Sequence, residues 1–230
     1  MPEEMNMSKL PRAVLIEFDF TALDGAALLY EVARARLEEC GIELTPKLEA
    51  LHLVNGNCQG AIAELFNAFG KRHDPAKAAR ELSDRFREVL TEQVASGVTE
   101  GFKAFVAALT ARGLKVVIAT RADTDVLRPA LDGLDAQLVS VYSESSVTYG
   151  NCKWDAWRRA VRANELHEVL TVAVTGSGYG VKSALLAGLP VLAVVHDHTA
   201  WQDFGGADVV ADAFSADLAR DVFRMLHLGA

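Results

Sequence analysis

The first recognisable element of the chain is a short apolar run that ends in two carboxylates. Residues 13–16 are all apolar, and Glu17, Phe18 and Asp19 follow before a polar turn. A short apolar run bounded by polar residues predicts a buried strand. Because side chains alternate along a strand with a period of two, Glu17 and Asp19 are expected to project from its end on the same side.

Residues 24–98 are predicted to be helical throughout. Apolar positions recur at helical spacing from Ala26 until the chain reaches Gly41. Thr45-Pro46 and Asp74-Pro75 each place a capping side chain before a proline suited to the first helical position. No convincing strand interrupts this interval. The pattern therefore predicts an all-helical domain, residues 24–98, inserted after the first strand.

From Gly101 onward, helical segments alternate with apolar runs. Residues 114–120 form a continuous apolar run after a helical segment, which is typical of a parallel strand covered on both faces. Further strands are expected at 138–142, 169–174, 191–195 and 209–210, with helices between them. The alternation predicts a doubly wound α/β parallel sheet formed by residues 1–23 and 99–230.

Composition and charge narrow the classes of partner. Half of the 230 residues are hydrophobic and the formal net charge is -8, which argues against non-specific nucleic-acid binding. No run approaches 18 apolar residues and the N-terminus is acidic, so neither a membrane span nor a signal peptide is expected. Cys40, Cys58 and Cys152 form no paired motif, which favours free thiols and a cytoplasmic location. The oligomeric state is left open.

Chemistry is expected at the carboxyl ends of the strands, where open parallel sheets bind ligands. Four polar segments are predicted to converge there, at residues 17–21, 120–123, 149–153 and 175–180. The helical insertion leaves the sheet at the same edge and can close over it as a lid.

The order of these segments resembles the haloacid dehalogenase (HAD) superfamily from about Pro11 to Arg224. Its first motif is an apolar strand followed by Asp-x-Asp-Gly-Thr, which is similar to residues 17–21, with Thr21 and Asp24 fixing the register. The insertion resembles the helical cap of the branch that includes β-phosphoglucomutase and phosphoglycolate phosphatase. The resemblance implies a Rossmann-like core with a helical cap, phosphatase chemistry and Mg²⁺.

The resemblance also implies a role for individual positions. Glu17 falls at the nucleophile and Asp19 at the general acid. The residues implied to bind phosphate are Thr21, Thr120, Lys153 and Ser177. The turn containing Asn55, Gly56 and Asn57 is the cap segment expected to face the substrate.

Three positions depart from the family pattern. Glu17 replaces an aspartate and moves its carboxylate by one methylene, roughly 1.3–1.5 Å, and a misplacement of about 1 Å can cost on the order of a hundredfold in rate. Phe20 stands where a glycine normally allows a tight turn. Gly176 stands where the metal-binding aspartate is expected, so Mg²⁺ is expected to bind poorly. A carboxylate restored at position 176 is expected to raise the Mg²⁺ affinity.

Three functions follow from these substitutions. The first is a HAD-like pseudoenzyme with lost or strongly impaired phosphatase activity that binds a small anionic or phosphorylated ligand. The second is an active hydrolase on a small phosphorylated metabolite, using Glu17 or, in a shifted register, Asp19. The third is a scaffold or interaction protein with a vestigial cleft.

A separate pair of histidines follows the strand predicted at residues 191–195. His196 and His198 are two residues apart and would share a face on a strand, which is compatible with a metal pair. No carboxylate cluster is predicted near them. The pattern therefore favours a surface loop.

Overall fold

The computed structural model describes residues 11–53, 58–122, 124–143 and 153–228, and gives only the backbone for 58, 59 and 153–155. Its six strands form one parallel sheet in the order β3-β2-β1-β4-β5-β6. The strands are β1 Ala13–Glu17, β2 Lys115–Thr120, β3 Val139–Ser143, β4 Thr171–Thr175, β5 Val191–Val194 and β6 Val209–Ala211. The strand order reverses between β1 and β4, which places the end of β1 at the switch point where such sheets bind ligands.

Within the described residues, four helices lie between β1 and β2, and five flank the sheet. The first four are α1 Gly25–Glu39, α2 Pro46–Leu48, α3 Cys58–Ala68 and α4 Pro75–Ser96. The other five are α5 Phe102–Thr110, α6 Thr124–Leu131, α7 Lys153–Ala163, α8 Gly178–Leu186 and α9 Leu218–Met225. None of the helices within the described ranges has the length and apolar character needed to cross a bilayer.

Two helices show detail that the sequence pattern does not give. The helix indicated by the Thr45-Pro46 cap is α-helical only over Pro46–Leu48 and continues as one wider π-helical turn, Glu49–Leu53. Helix α8 begins at Gly178, inside the glycine-rich segment that follows β4. The glycine-rich segment is therefore the first turn of the helix, because the Ser177 hydroxyl accepts a hydrogen bond from the Gly180 amide and caps it.

The sheet buries both faces, as the continuous apolar runs predict. Alternate residues of β1 point to opposite sides, so Val14 and Ile16 join one hydrophobic cluster and Leu15 joins the other. The first cluster also contains cap residues such as Phe86, so the cap and the sheet share one apolar core. This arrangement confirms the predicted α/β fold with an all-helical cap.

The cap is connected to the core by two neighbouring segments of chain. The chain leaves β1 through a short 3-10 turn, Phe18–Phe20, and returns at Thr99. The Thr99 amide donates to the Ala22 carbonyl at 2.8 Å, and the Thr99 hydroxyl donates to the Thr21 carbonyl at 3.3 Å. These bonds hold the exit beside the return and keep the cap over the carboxyl ends of the strands. The predicted cap limits, residues 24 and 98, stay a prediction.

Candidate functional site

A small inner cavity lies at the carboxyl ends of β1, β2 and β3. Its volume is about 60 Å³. Its lining includes Glu17, Asp19, Thr120, Arg121, Tyr142 and Trp157. Glu17 and Asp19 are only 7% and 3% exposed, so two carboxylates are buried side by side. Both were predicted to project from the end of the first strand; the strand ends at Glu17, and Asp19 lies in the 3-10 turn that follows.

Asp19 has a hydrogen-bond donor for each carboxylate oxygen. The Thr120 hydroxyl donates to Oδ1 at 2.5 Å, and the Arg121 amide donates to Oδ2 at 2.9 Å. Burial raises the pKa of Asp19, and the Arg121 charge and the two hydrogen bonds oppose that rise. The nearby Glu17 carboxylate adds a small upward contribution to the same pKa. Burial has the larger effect, so Asp19 holds its proton to a higher pH than an exposed aspartate.

Glu17 is held by a residue to which the sequence reasoning gave no role. The Thr175 hydroxyl, at the end of the neighbouring strand β4, donates to Glu17 Oε2 at 2.5 Å. Thr175 is completely buried. Its strand-end position beside β1 was the available signal, but nothing in the sequence shows which way its hydroxyl points. The longer glutamate side chain is therefore fixed across the strand ends.

Three of the residues predicted to bind phosphate, Thr21, Thr120 and Ser177, form hydrogen bonds within the protein. The Thr21 hydroxyl donates to the Glu17 carbonyl at 2.7 Å, and Ser177 Oγ caps α8. At the start of the same helix, the Gly178 amide donates to the Gln202 side chain at 2.8 Å. In this arrangement these groups hold the loops together. Thr120 is the predicted phosphate contact that lines the inner cavity.

The remaining predicted site residues lie where their side chains are not described. Lys153 begins α7, whose later residues Trp157 and Ala160 line the inner cavity, but its own side chain is outside the described set. Asn55, Gly56 and Asn57, the cap turn expected to face the substrate, also lie outside the described residues. Their roles stay predictions.

Gly176 has no room for a side chain. A Cβ atom built on it would lie 1.6 Å from the Phe20 carbonyl oxygen and 2.8 Å from the Phe20 carbonyl carbon. Real Cβ atoms essentially never approach another heavy atom closer than 3.0 Å, so any other residue here requires the backbone to move. The loop after β1 and the loop after β4 are therefore in direct backbone contact.

Among the residues that the structure describes, this site offers a magnesium ion no more than the carboxylates of Glu17 and Asp19. Gly176 supplies no carboxylate, and the space for one is filled by the Phe20 backbone. Both oxygens of Asp19 and one oxygen of Glu17 already accept hydrogen bonds. Within residues 11–53, 58–122, 124–143 and 153–228, no three His, Cys, Asp or Glu side chains are grouped to hold a metal. Mg²⁺ is usually held by one or two protein carboxylates together with waters or substrate phosphates, and here both carboxylates are already engaged by hydroxyl or amide donors of the protein.

The Phe20 ring occupies the centre of the contact between cap and core. Its centroid lies 6.2 Å from that of Phe86 on the cap helix α4. The guanidinium carbon of Arg121 lies 5.3 Å from the Phe20 ring centroid, within the range of a cation–π contact. The bulky residue at the position of the motif glycine therefore joins the cap, the β1 loop and an arginine.

A family comparison identifies the arrangement. The sequence model of haloacid dehalogenase-like hydrolases matches residues 14–194, from β1 to the end of β5. The chain belongs to this family. The match spans the helical cap and the inner cavity of this HAD protein, so the resemblance found in the motifs is confirmed at the level of the family. No curated protein matches the sequence.

Solved structures share the fold of this HAD protein at low sequence identity. CbbY from Rhodobacter sphaeroides, solved with phosphate, is 20% identical with a TM-score of 0.64, covering 90% of this chain and 96% of that chain. A mutant CbbY was solved with Xylulose-(1,5)bisphosphate, with a TM-score of 0.65. β-Phosphoglucomutase from Clostridium difficile is 11% identical with a TM-score of 0.72, covering 96% and 100%. At these identities the likeness shows the fold alone.

A larger groove opens beside the inner cavity, between the cap helix α4 and the strand ends. Its volume is about 710 Å³. Its lining includes Arg87, Glu88, Thr91, Arg121, Thr124 and Ser143. Arg121 belongs to both linings, so its side chain stands at the junction of the two spaces. The groove is lined by three hydroxyl side chains, two arginines and two glutamates.

The two histidines after β5 reach inward, which the interpretation as a plain surface loop did not anticipate. His196 Nε2 lies 3.0 Å from the Thr21 carbonyl, to which it must donate because a carbonyl oxygen can only accept. His198 Nε2 lies 2.8 Å from Glu49 Oε1 in the cap. The short 3-10 turn Asp197–Thr199 places the two rings on these different partners. The pair thus ties the core to the β1 exit and to the cap.

Proposed function

We propose that this HAD protein binds a small anionic or phosphorylated ligand at the cap–core cleft and has lost, or strongly reduced, phosphatase activity. The observation that carries the proposal is the contact between Gly176 and the Phe20 carbonyl, which leaves no room for a metal-binding side chain. In phosphoryl transfer the protein contributes mainly positioning and charge, so a site without a properly held cation loses most of its effect.

The position of Glu17 supports the same proposal. Its carboxylate is one methylene farther from the backbone than an aspartate and is bound by the Thr175 hydroxyl. A nucleophile must lie in line with phosphorus, and displacements of about 1 Å cost roughly a hundredfold in rate. A buried, hydrogen-bonded glutamate cannot correct its position without breaking the bond to Thr175.

The ligand class rests on the cleft and on the family. Arg121 places a cation in the lining of the inner cavity, beside Thr120, whose hydroxyl is bound to Asp19. Structures of the same fold hold phosphate or a sugar bisphosphate, which favours a ligand of that class here. A cytoplasmic location stays a prediction from the sequence.

A second candidate function is an active hydrolase that uses Asp19. One observation favours it: Asp19 lies in the inner cavity, and burial raises its pKa, as suits a group that donates a proton. This candidate requires turnover that depends on Asp19.

Hydrolysis of p-nitrophenyl phosphate and of small sugar phosphates in the presence of Mg²⁺ separates the two candidates. We expect the wild-type rate to equal that of Glu17→Ala, because neither protein places a nucleophile correctly. Wild-type turnover that falls to background in Glu17→Ala or Asp19→Asn would show an active hydrolase and refute the loss of phosphatase activity.

A further inference from the structure

We propose that Arg121, held over the Phe20 ring, is the fixed cation of this site and binds the anionic group of the ligand in place of a metal ion. The inference rests on the proposed function, because it presupposes an anionic ligand. In the family resemblance, Mg²⁺ supplies the positive charge of the site. Here that charge is assigned to a side chain of the protein.

The first support is that the Phe20 backbone contacts Gly176 while the Phe20 ring contacts Arg121. The Phe20 carbonyl fills the space that a side chain at position 176 would need, while the Phe20 ring lies beneath Arg121. The two departures from the family motif therefore meet at one point in the structure. The Phe20 carbonyl closes the space at position 176, and the Phe20 ring supplies an aromatic platform for a cation.

The second support is the charge balance of the inner cavity. Glu17 and Asp19 are both buried there, and the Arg121 charge lowers the pKa of Asp19 against the effect of burial. A guanidinium carries five N–H donors in a planar fork. Five donors exceed what one carboxylate partner can accept, so the same side chain can also contact an oxyanion.

The third support is the position of Arg121 between the two spaces. It lines the inner cavity of about 60 Å³ and the outer groove of about 710 Å³. In the outer groove, Glu88 lies 2.9 Å and Glu92 lies 3.8 Å from Arg85, so their charges are partly balanced by a residue outside the lining. Arg87 adds a second positive charge to the groove.

The groove also indicates what the anion is attached to. Thr91, Thr124 and Ser143 line it with hydroxyl groups, and few apolar side chains face it. Hydroxyls of this kind pair with polar ligand groups rather than with an acyl chain or an aromatic ring. The structure thus points to a small organic oxyanion that carries hydroxyl groups, such as a phosphate monoester of a polyol.

The test uses inorganic sulfate as the probe, titrated into the whole protein by NMR at constant ionic strength with EDTA present. Sulfate remains a dianion across the working pH range, so a change in its affinity reports a change in the protein. The matched control is Arg112→Gln, because the Arg112 guanidinium also lies over an aromatic ring, Phe223, at 5.0 Å, away from the site. Phe20→Leu removes the platform and keeps an apolar side chain.

We expect wild type and Arg112→Gln to bind sulfate equally, with no change when Mg²⁺ replaces EDTA. Arg121→Gln should weaken binding roughly tenfold or more, the loss expected for charge-assisted hydrogen bonds. Phe20→Leu should weaken it by several-fold. Sulfate binding that is unchanged in Arg121→Gln, or that requires Mg²⁺, would overturn the inference while leaving the proposed anionic ligand in place.

A wild type that binds no sulfate would overturn both the proposed ligand and the inference, and a second measurement tests the charge of Arg121 without any ligand. The Asp19 carboxyl carbon can be titrated by NMR in wild type and in Arg121→Gln. Arg121 lowers the Asp19 pKa, so the variant should titrate at a higher pH. An identical Asp19 titration in both proteins would show that Arg121 is not the counter-charge of the site.

Discussion

Replacing Gly176 with alanine tests the contact between the two site loops. The substitution adds one methyl group at a position whose Cβ would lie 1.6 Å from the Phe20 carbonyl oxygen. Ordinary contacts begin at 3.4 Å, so one of the two backbone segments must move by about 1.8 Å to accept the methyl group. The Phe20 segment is held by the hydrogen bonds of Thr21 and by Phe86, so the movement has a cost.

That cost can be placed on a scale. Overpacking a well-packed interior destabilises a protein by about 1–3 kcal/mol, occasionally more. Because the clash here is with a backbone carbonyl rather than a flexible side chain, we expect about 3 kcal/mol. For a protein of this length each kcal/mol lowers the melting temperature by roughly 2–4 °C, so the expected decrease is about 6–12 °C.

The assay is thermal unfolding followed by circular dichroism, with urea unfolding as a second measure of the free energy. Gly205→Ala is the matched control, since Gly205 lies in an exposed loop without a left-handed backbone. The nearest atom to its added Cβ is a carboxylate oxygen of the flexible Asp203 side chain, at 2.9 Å. The control should change stability by no more than about 0.5 kcal/mol.

A Gly176→Ala protein that is as stable as the control would refute the reasoning. It would mean that the loops are not in contact and that an aspartate could be accepted at this position. The sequence alone led us to expect that Gly176→Asp raises the Mg²⁺ affinity. The contact with Phe20 argues against that expectation and predicts instead a destabilised protein without a metal site.

Three further predictions concern single side chains of the site. Burial raises the Asp19 pKa, so its carboxyl favours folding below the unfolded pKa of about 3.9 and loses that contribution as pH rises through the folded value. Asp19→Asn should therefore melt above wild type at neutral pH, with the gain disappearing in acid; a deficit at neutral pH would contradict this. Thr175→Val should cost about 1.5–3 kcal/mol in urea unfolding, because it removes the charge-assisted bond to Glu17. Thr171→Val, in the same strand, loses only a neutral hydrogen bond to a carbonyl and should cost less. Equal costs would show that the bond between Thr175 and Glu17 is not charge-assisted. Phe20→Ala should cost about 3 kcal/mol or more through lost aromatic packing, and a near-neutral result would show that the ring does not join cap and core.

The fold could be predicted because its signals are local and periodic. The continuous apolar runs of β2 and β5 identify strands buried on both faces, and the helical spacing of α4 identifies the cap. The carboxyl ends of parallel strands then place Glu17, Asp19 and Thr120 at one edge. These predictions need only residues that are neighbours in sequence or that lie at the strand ends of one sheet.

The inner detail of the site could not be predicted, because it depends on contacts between distant segments. Nothing in the sequence shows that Thr175 donates to Glu17, or that Arg121 lies over Phe20. The directions of His196 and His198 also depend on one short turn. The available signal was the coincidence of two departures, Phe20 and Gly176, in one family motif set.

The central claim, a HAD site arranged without a metal ion, is tested most directly by titrating Mg²⁺ into the wild-type protein by isothermal calorimetry. The account predicts no stoichiometric binding of Mg²⁺ at millimolar concentration, because Gly176 offers no ligand and the carboxylates of Asp19 and Glu17 are hydrogen-bonded within the protein. Glu17→Gln should give the same trace as wild type. One Mg²⁺ bound per chain, and lost in Glu17→Gln, would contradict the claim.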